Sequence, residues 1–366
     1  MEQNKRTPIS TLGEFGLIRH LTENIELQNA SSKYGVGDDC AVLEYPDKQV
    51  LVTTDLLMEG VHFDLTYVPL KHLGYKAVMV NLSDIYAMNG TPRQITVSLA
   101  ISKRFKVEDI EELYAGMRLA CEQHKVDIVG GDTTSSMTGL AISITAIGSA
   151  KAEEIAYRSG AKETDLICVS GNLGAAYMGL QTLEREKAVY NQQVKEAIEH
   201  ANRTGSNANE AIAQIPQPDF AGKEYILERQ MKPEARKDIV ERLRQAGVKI
   251  TSMIDISDGL SSELMHICEQ SQCGCRIYEE RLPLDYQTAV AAEEFNLNVS
   301  TCALNGGEDY ELLFTVPLTA NELVSAIEDI KVIGYITKPE LGKALISRDG
   351  NEFELKAQGW NHMTEE

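Results

Sequence analysis

The chain has 366 residues, 43% of them hydrophobic, and a formal net charge of −20. That length gives room for about two domains, each with its own core. The acidic balance excludes the lysine and arginine face that broad nucleic-acid binding needs. No window approaches the roughly 18–20 uninterrupted apolar residues of a membrane span, and the opening MEQNKRTPIS lacks the apolar core of a signal peptide, so a cytoplasmic protein with no membrane partner is expected. The seven cysteines, Cys40, Cys121, Cys168, Cys268, Cys273, Cys275 and Cys302, are odd in number and scattered, unlike a secreted disulfide framework. Cys273 and Cys275 form the one close pair, and without a second cysteine or histidine cluster they read as ordinary thiols rather than zinc ligands.

In chain order, QVLVTTDLL and ITVSLAIS have the β-branched, apolar texture of strands. Between them, Leu73, Ala77, Val80 and Met88 recur at helical spacing, and Asn89-Gly90 followed by Pro92 ends that helix. A second amphipathic helix is predicted from Val107 to His124, then a short strand VDIVGG. The charged, turn-rich segment AKAEEIAYRSGAKETD separates two apolar runs and sets a domain boundary near residue 150, giving domains 1–150 and 151–366. The second opens with strand LICVSG and helix AAYMGLQTLERE, and later repeats strand, Asp-rich turn and helix in KITSMIDISDGLSSELMHICEQ. The polar stretch 184–223 reads as a helical, partly mobile insertion.

The chemistry is carried by aspartates placed beside glycines and small hydroxyl residues. Six clusters recur: Gly35-Val36-Gly37-Asp38-Asp39, Thr53-Thr54-Asp55, Asn81-Leu82-Ser83-Asp84, Gly130-Gly131-Asp132-Thr133-Thr134, Asp255-Ile256-Ser257-Asp258-Gly259 and Gly306-Gly307-Glu308-Asp309. Each alone is an ordinary turn or helix cap, because Asp, Ser and Gly are turn and N-cap residues. Together they follow apolar strands and are expected at strand ends. Carboxylates gathered in a partly dry site repel, and must take up protons or bind cations. Magnesium suits a set of oxygen donors, whereas the scattered histidines offer no zinc or iron spacing. Ser257-Asp258-Gly259 at a predicted helix start would offer backbone N–H groups to phosphate. The P-loop pattern, the protein-kinase signatures and a G-x-G-x-x-G after a strand are all missing from the chain. A nucleotide enzyme of this composition would hold phosphates mainly through metal.

The segments GVGDDCAVL, VTTDLLMEGVHF, KAVMVNLSDIYAMNG, VGGDTTSS, IDISDGLSSELMHI and GGEDYELLFTV follow one another between residues 35 and 316. In these motifs the chain resembles, end to end, the bacterial thiamine-monophosphate kinases. Their superfamily also holds aminoimidazole ribonucleotide synthetase, selenophosphate synthetase and a hydrogenase maturation factor. The resemblance implies an α/β (α+β) protein: an N-terminal mixed-sheet domain that pairs across a homodimer, a C-terminal α/β domain, and an active site in the cleft between them. It implies ATP as co-substrate, several Mg2+ ions, and phosphorylation of thiamine monophosphate. By position it gives Asp39, Thr53, Thr54, Asp55, Asp84, Asp132, Asp255 and Asp258 as metal ligands, with Asp84, Asp132 and Asp258 catalytic and Asp38 a near neighbour. Gly131, Asp132, Arg158 and Ser257 would contact ATP, and His62, Glu308 and Trp360 the thiamine end. Two features depart from the family pattern: the long polar stretch 184–223, and MKPEAR, which puts contacts near Pro233 and Arg236 in doubt.

Two other readings are open to the residues. A sister synthetase such as selenophosphate synthetase would want a reactive cysteine near the N-terminus, yet Cys40 sits inside a metal motif; the maturation factor would want a C-terminal cysteine, yet the chain ends NHMTEE. A non-catalytic calcium protein would show the EF-hand pattern D-x-[DN]-x-[DN]-G with a distal Glu, which this sequence lacks.

Overall fold

The computed structural model describes residues 7, 11, 12, 17, 20–34, 42, 43 and 49–356. Asp38, Asp39, Cys40 and Trp360 lie outside the described residues. After a short antiparallel pair, β1 (Ser32–Tyr34) and β2 (Val42–Leu43), the first sheet begins with β3 (Gln49–Met58). Its other strands are β4 (Thr91–Ser102), β5 (Asp127–Ser136) and β6 (Leu140–Ala150), in the order β3-β6-β4-β5. Only β4 and β5 run parallel. That pairing needs a crossover, which helix α2 (Val107–His124) provides, over the residues its amphipathic pattern predicts.

Helix α1 (Leu70–Ala87) links β3 to β4 and is buried on nearly every side, from Leu73 to Ser83 without a break. A helix apolar all round belongs in the middle of a fold. One side packs on β6 and β3, another on α2, and its far side meets the C-terminal half. Its contact with α2 is at backbone distance: a Cβ on Gly74 would collide with the Leu113 carbonyl, and a Cβ on Gly116 with the Lys71 carbonyl. The opposite face of the sheet is left open, with Val50, Val52, Leu56 and Met58 between 40% and 64% exposed.

The second sheet has seven strands in the order β13-β12-β9-β11-β7-β10-β8. These are β7 (Leu166–Ser170), β8 (Ser252–Asp255), β9 (Gly274–Tyr278), β10 (Leu312–Val316), β11 (Ile330–Thr337), β12 (Lys343–Ile346) and β13 (Glu352–Glu354). All pairs are antiparallel except β9 with β12. Between them run α3 (Ala175–Thr204), α4 (Ala208–Ala213), α5 (Glu224–Met231), α6 (Lys237–Gln245), α7 (Leu260–Ser271), α8 (Tyr286–Glu294), α9 (Val299–Asn305) and α10 (Asn321–Ser325). No helix among the described residues is long and apolar enough to cross a membrane.

Two expectations are corrected. The helix expected at AAYMGLQTLERE continues through Thr204, because the polar run from Lys187 holds no Gly or Pro before Gly205 and consists largely of good helix formers. Beyond Leu183 it buries only Ala201, so it grows outward from its packed first turns. Three of the six aspartate clusters are not at strand ends: Thr53-Thr54-Asp55 is in the middle of β3, Gly130–Thr134 inside β5, and Asn81–Asp84 within α1. Ladder pairing on the neighbouring strand overrides the turn tendency of Gly, Thr and Asp in β3 and β5.

The reciprocal glycine contact gives a sharp expectation. Gly116→Ala must push α1 and α2 apart, and overpacking of this kind costs roughly 1–3 kcal/mol or more. Urea unfolding should show that loss, whereas Ala substitution at Gly205, which has open space around it but a φ of +71°, should cost less.

Candidate active site

In the C-terminal half of α1, Asn81 and Asp84 are tied to β3 and Ser83 to β8. Thr53 Oγ1 on β3 donates to Asp84 Oδ2 at 2.5 Å. The Asp55 N–H donates to Asn81 Oδ1 at 3.1 Å, while Asn81 Nδ2 is held by the Ala77 carbonyl. Ser83 Oγ donates to Asp255 Oδ2 at 2.6 Å, reaching the end of β8 in the other sheet. One helix therefore brings together carboxylates from both sheets: Asp55, Asp84 and Asp255.

These carboxylates crowd one another. Burial first, and then the charge of Asp84, pushes Asp55 up to about 6. Burial also raises Asp84, against the Thr53 hydrogen bond and the nearby Arg158 guanidinium, which lower it. Asp255 is raised by burial and by the charges of Asp84 and Asp55, with the Ser83 hydrogen bond opposing. Asp55 Oδ2 is buried with no hydrogen-bond partner. Glu263 accepts from the Asp258 N–H at 3.0 Å and is itself pushed up to about 8, chiefly by burial. The Asp258 N–H is thus occupied by a carboxylate, a correction to the expectation that Ser257-Asp258-Gly259 presents it to a ligand.

Opposite these groups, the Gly306–Asp309 loop is pinned to the loop after β8. The Glu308 N–H donates to Ser257 O at 2.6 Å, and the Tyr310 N–H to Ile256 O at 2.8 Å. Glu308 and Tyr310 both have left-handed backbone, with φ of 58° and 50°. Such residues cost of order 1 kcal/mol each and persist where the surroundings hold them. The Tyr310 hydroxyl is raised by burial and then by Glu308, Asp255, Asp55 and Asp84, so this loop faces the same carboxylates. Asp309 turns away and caps α3, accepting from the Gly174 N–H at 2.7 Å; burial raises it to about 6.

The other expected residues are dispersed. Along β3 the side-chain period of two puts Thr53 and Asp55 on the α1 face, but Thr54 on the open face beside Thr145. Asp132 lies in register with Ser98, Ser143 and Leu56, on that same open face and three strands from β3. Thr54 and Asp132 are therefore not brought to Asp55 within one chain. Gly131 sits where a Cβ would collide with the Val97 backbone, so the glycine allows β4 and β5 to approach. Arg158 is exposed and near Asp84; His62 closes its own turn, with Nδ1 accepting the Met58 N–H at 3.0 Å. Arg236 is buried in an ion network, its guanidinium on Glu311 beside Arg229, which lies 2.9 Å from the same carboxylate.

Sequence reading did not single out Ser83, Lys76, Gln230, Glu263 or Tyr310. Ser83 stood within a cluster already noted, and Lys76 is the single charge in the apolar run from Leu73 to Val80. Gln230 reaches Glu308 only through long-range packing, whereas Glu263 acts locally, five residues after the Asp258 N–H that it accepts. Among the described residues, no three Asp, Glu, His or Cys side chains form a metal-sized cage. Burial pushes the Cys121 and Cys168 thiols upward, the latter to about 12, away from nucleophilic thiolates.

Residues 37–150 match the family model described as AIR synthase related protein, N-terminal domain, and residues 202–346 match AIR synthase related protein, C-terminal domain. The chain is 34% identical over 355 residues to the thiamine-monophosphate kinase of Aquifex aeolicus strain VF5, spanning 97% of this chain and 99% of that one. It is 32% identical over 360 residues to that of Bacillus subtilis strain 168, spanning 96% and 100%. A solved structure of AaThiL complexed with AMPPCP and TMP has 30% identity and a TM-score of 0.71, covering 98% of this chain and 100% of that chain. Hydrogenase maturation protein HypE in complex with ATP, at 19% identity and a TM-score of 0.69 over 93% and 94% of the two chains, shares the fold. The chain belongs to the thiamine-monophosphate kinase family.

Proposed function

We propose that this chain transfers the γ-phosphoryl group of ATP directly to thiamine monophosphate, giving thiamine diphosphate, as a Mg2+-dependent cytoplasmic homodimer. The observation that carries this reading is the convergence of Asp55, Asp84 and Asp255 on α1, with Asp55 Oδ2 buried and unpartnered. The relative solved with AMPPCP and TMP supports the choice of substrates.

The donor set fits magnesium. It is all oxygen, and Mg2+ commonly takes one or two carboxylates plus substrate phosphates and water rather than a complete protein cage. Asp55, Asp84 and Asp255 would hold it, with Asp39 and Asp258 as further candidates, Asp132 only from a second copy across the open face, and Thr53 and Ser83 orienting the carboxylates they bond. Bound there, Mg2+ supplies the positive charge that offsets repulsion between the two phosphate groups and between the carboxylates themselves.

The acceptor needs no general base. A phosphate monoester has a second pKa near 6, so its attacking oxygen is largely ionised at neutral pH. The obstacle is charge: two unit charges about 4 Å apart at an effective dielectric near 20 repel by about 4 kcal/mol. What this chain must do is position the two substrates and hold the cation. Ser257, Gly131 and Arg158 would take the nucleotide side, and Glu308 and His62 the thiamine side.

The open face of the first sheet supports the homodimer. Val50, Val52, Leu56 and Met58 form an exposed apolar row along an edge strand, and such a face is normally covered. Val52→Lys is expected to convert a dimer to a monomer in light scattering; a wild-type monomer, or a dimer unchanged by the substitution, counts against the assignment.

Asp84→Asn removes one charge from the proposed cation site while keeping the shape. Turnover should fall at least a hundredfold at low Mg2+, about 2.7 kcal/mol of transition-state stabilisation, and recover in part as Mg2+ rises. Near-normal activity across the titration would remove Asp84 from the site. Incubation with γ-labelled ATP alone should leave no label on the protein, since a stable labelled residue that chases into product would replace direct transfer with a covalent intermediate.

The raised carboxylates also predict how metal-free stability depends on pH. A carboxylate whose folded pKa lies above its unfolded value binds more protons when folded, so its contribution falls as pH rises through that window. For Asp55 the window runs from the ordinary carboxylate range to about 6, and Glu263 extends it to about 8. The Tm in EDTA should therefore drop between pH 5 and pH 8, and Asp55→Asn should flatten part of that slope.

A further inference from the structure

Lys76 is 3% exposed, and its neighbours along α1 are apolar. A buried ammonium survives only where partners replace its water. Its Nζ lies 2.9 Å from Glu308 Oε1 and donates to the Gln230 carbonyl at 3.2 Å. Gln230 Nε2 in turn donates to Glu308 Oε2 at 2.9 Å. Both oxygens of Glu308 are thus fixed from the side of α1 and α5. The Glu308 side chain keeps 29% of its surface open, on a backbone already held left-handed by its bond to Ser257.

Lys76 and Ser83 are seven residues apart on one side of α1, about 10 Å along its axis. Ser83 ties the helix to Asp255, and Lys76 ties it to the Gly306–Asp309 loop. With the Tyr75 hydroxyl donating to Glu234, the helix meets the C-terminal half at several polar points, among them one beside the cation carboxylates and one beside the proposed acceptor substrate. The ammonium also offsets the Glu308 charge, leaving a carboxylate suited to accept a hydrogen bond from a nitrogen-bearing ring rather than to act as a bare counter-ion.

We propose that Lys76 is a positioning residue for the acceptor substrate, holding the Glu308 carboxylate where the ring end of thiamine monophosphate binds and setting its distance from the Asp84 carboxylate on the same helix. This rests on the reading that Glu308 faces the thiamine end. The test uses full-length Lys76→Met, Lys76→Arg, Glu308→Gln and the Lys76→Met/Glu308→Gln double variant, with KM measured separately for thiamine monophosphate and ATP, and thiamine monophosphate affinity measured by calorimetry. Lys76→Met should raise KM for thiamine monophosphate at least tenfold and leave KM for ATP within about twofold. Lys76→Arg should recover most of that loss, and the double variant should be no worse than Glu308→Gln. Should Lys76→Met fail to fold, Gln230→Leu removes the other tie without exposing a buried charge, and should move the same KM in the same direction. Equal changes in both KM values, a change in kcat alone, or multiplicative effects in the double variant would overturn the proposal. If Glu308→Gln raises KM for thiamine monophosphate and Lys76→Met does not, only this proposal fails. If Glu308→Gln binds thiamine monophosphate normally, the assignment of Glu308 fails and takes the proposal with it. A wild-type chain that converts no thiamine monophosphate would sink the function itself.

Discussion

The constraint on which the site depends is mutual repulsion among partly dry carboxylates. Asp55, Asp84 and Asp255 come from two sheets and a helix, and each raises the cost of ionising its neighbours. A fold that brings them together without a cation gives up stability near neutral pH, so the rest of the local structure serves to hold them. Thr53 and Ser83 each donate to one carboxylate, and Asn81 takes the backbone N–H of the third. These bonds fix orientation while neutralising no charge. The charge itself stays uncompensated by these bonds, and a set of carboxylate oxygens is what a hard cation can offset.

Helix α1 is the element through which that constraint is met. Because it is buried on almost every side, it can face the first sheet, α2 and the C-terminal half at once. The glycine contact with α2 sets its depth. Lys76, Asn81, Ser83 and Asp84 all have partners outside the helix, which explains why an otherwise apolar helix carries them. Packing and chemistry are therefore not separable here, since moving α1 would displace both the carboxylates and the loop that holds Glu308.

Much of this was legible in the sequence, because its periodicities are local. The bounds of α2 follow from apolar spacing, and β3 from its β-branched residues. The aspartate clusters point to oxygen-donor chemistry, and the order of six motifs carries the family. What was not legible was the face to which each cluster residue points once its backbone joins a ladder. Thr53-Thr54-Asp55 reads as one unit in sequence, yet the pleat sends Thr54 to the opposite side. Asp132 is displaced by sheet order, and Gln230 is recruited by packing that no short window encodes.

The same pleat connects the site to the open face. Strand β3 turns Thr53 and Asp55 toward α1 and presents Val52, Thr54 and Leu56 to the other side, so one strand carries both a carboxylate of the cleft and the exposed apolar row. A one-residue slip would exchange the two sets, putting Asp55 on the apolar face and Leu56 among the carboxylates. The ten-residue antiparallel register with β6, unbroken from Gln49 to Met58, prevents that slip. By contrast β4 carries an irregularity against each of its neighbours, near its start, where no site residue stands. Regularity is thus greatest along the strand where an error of one residue would exchange Asp55 with the exposed apolar row.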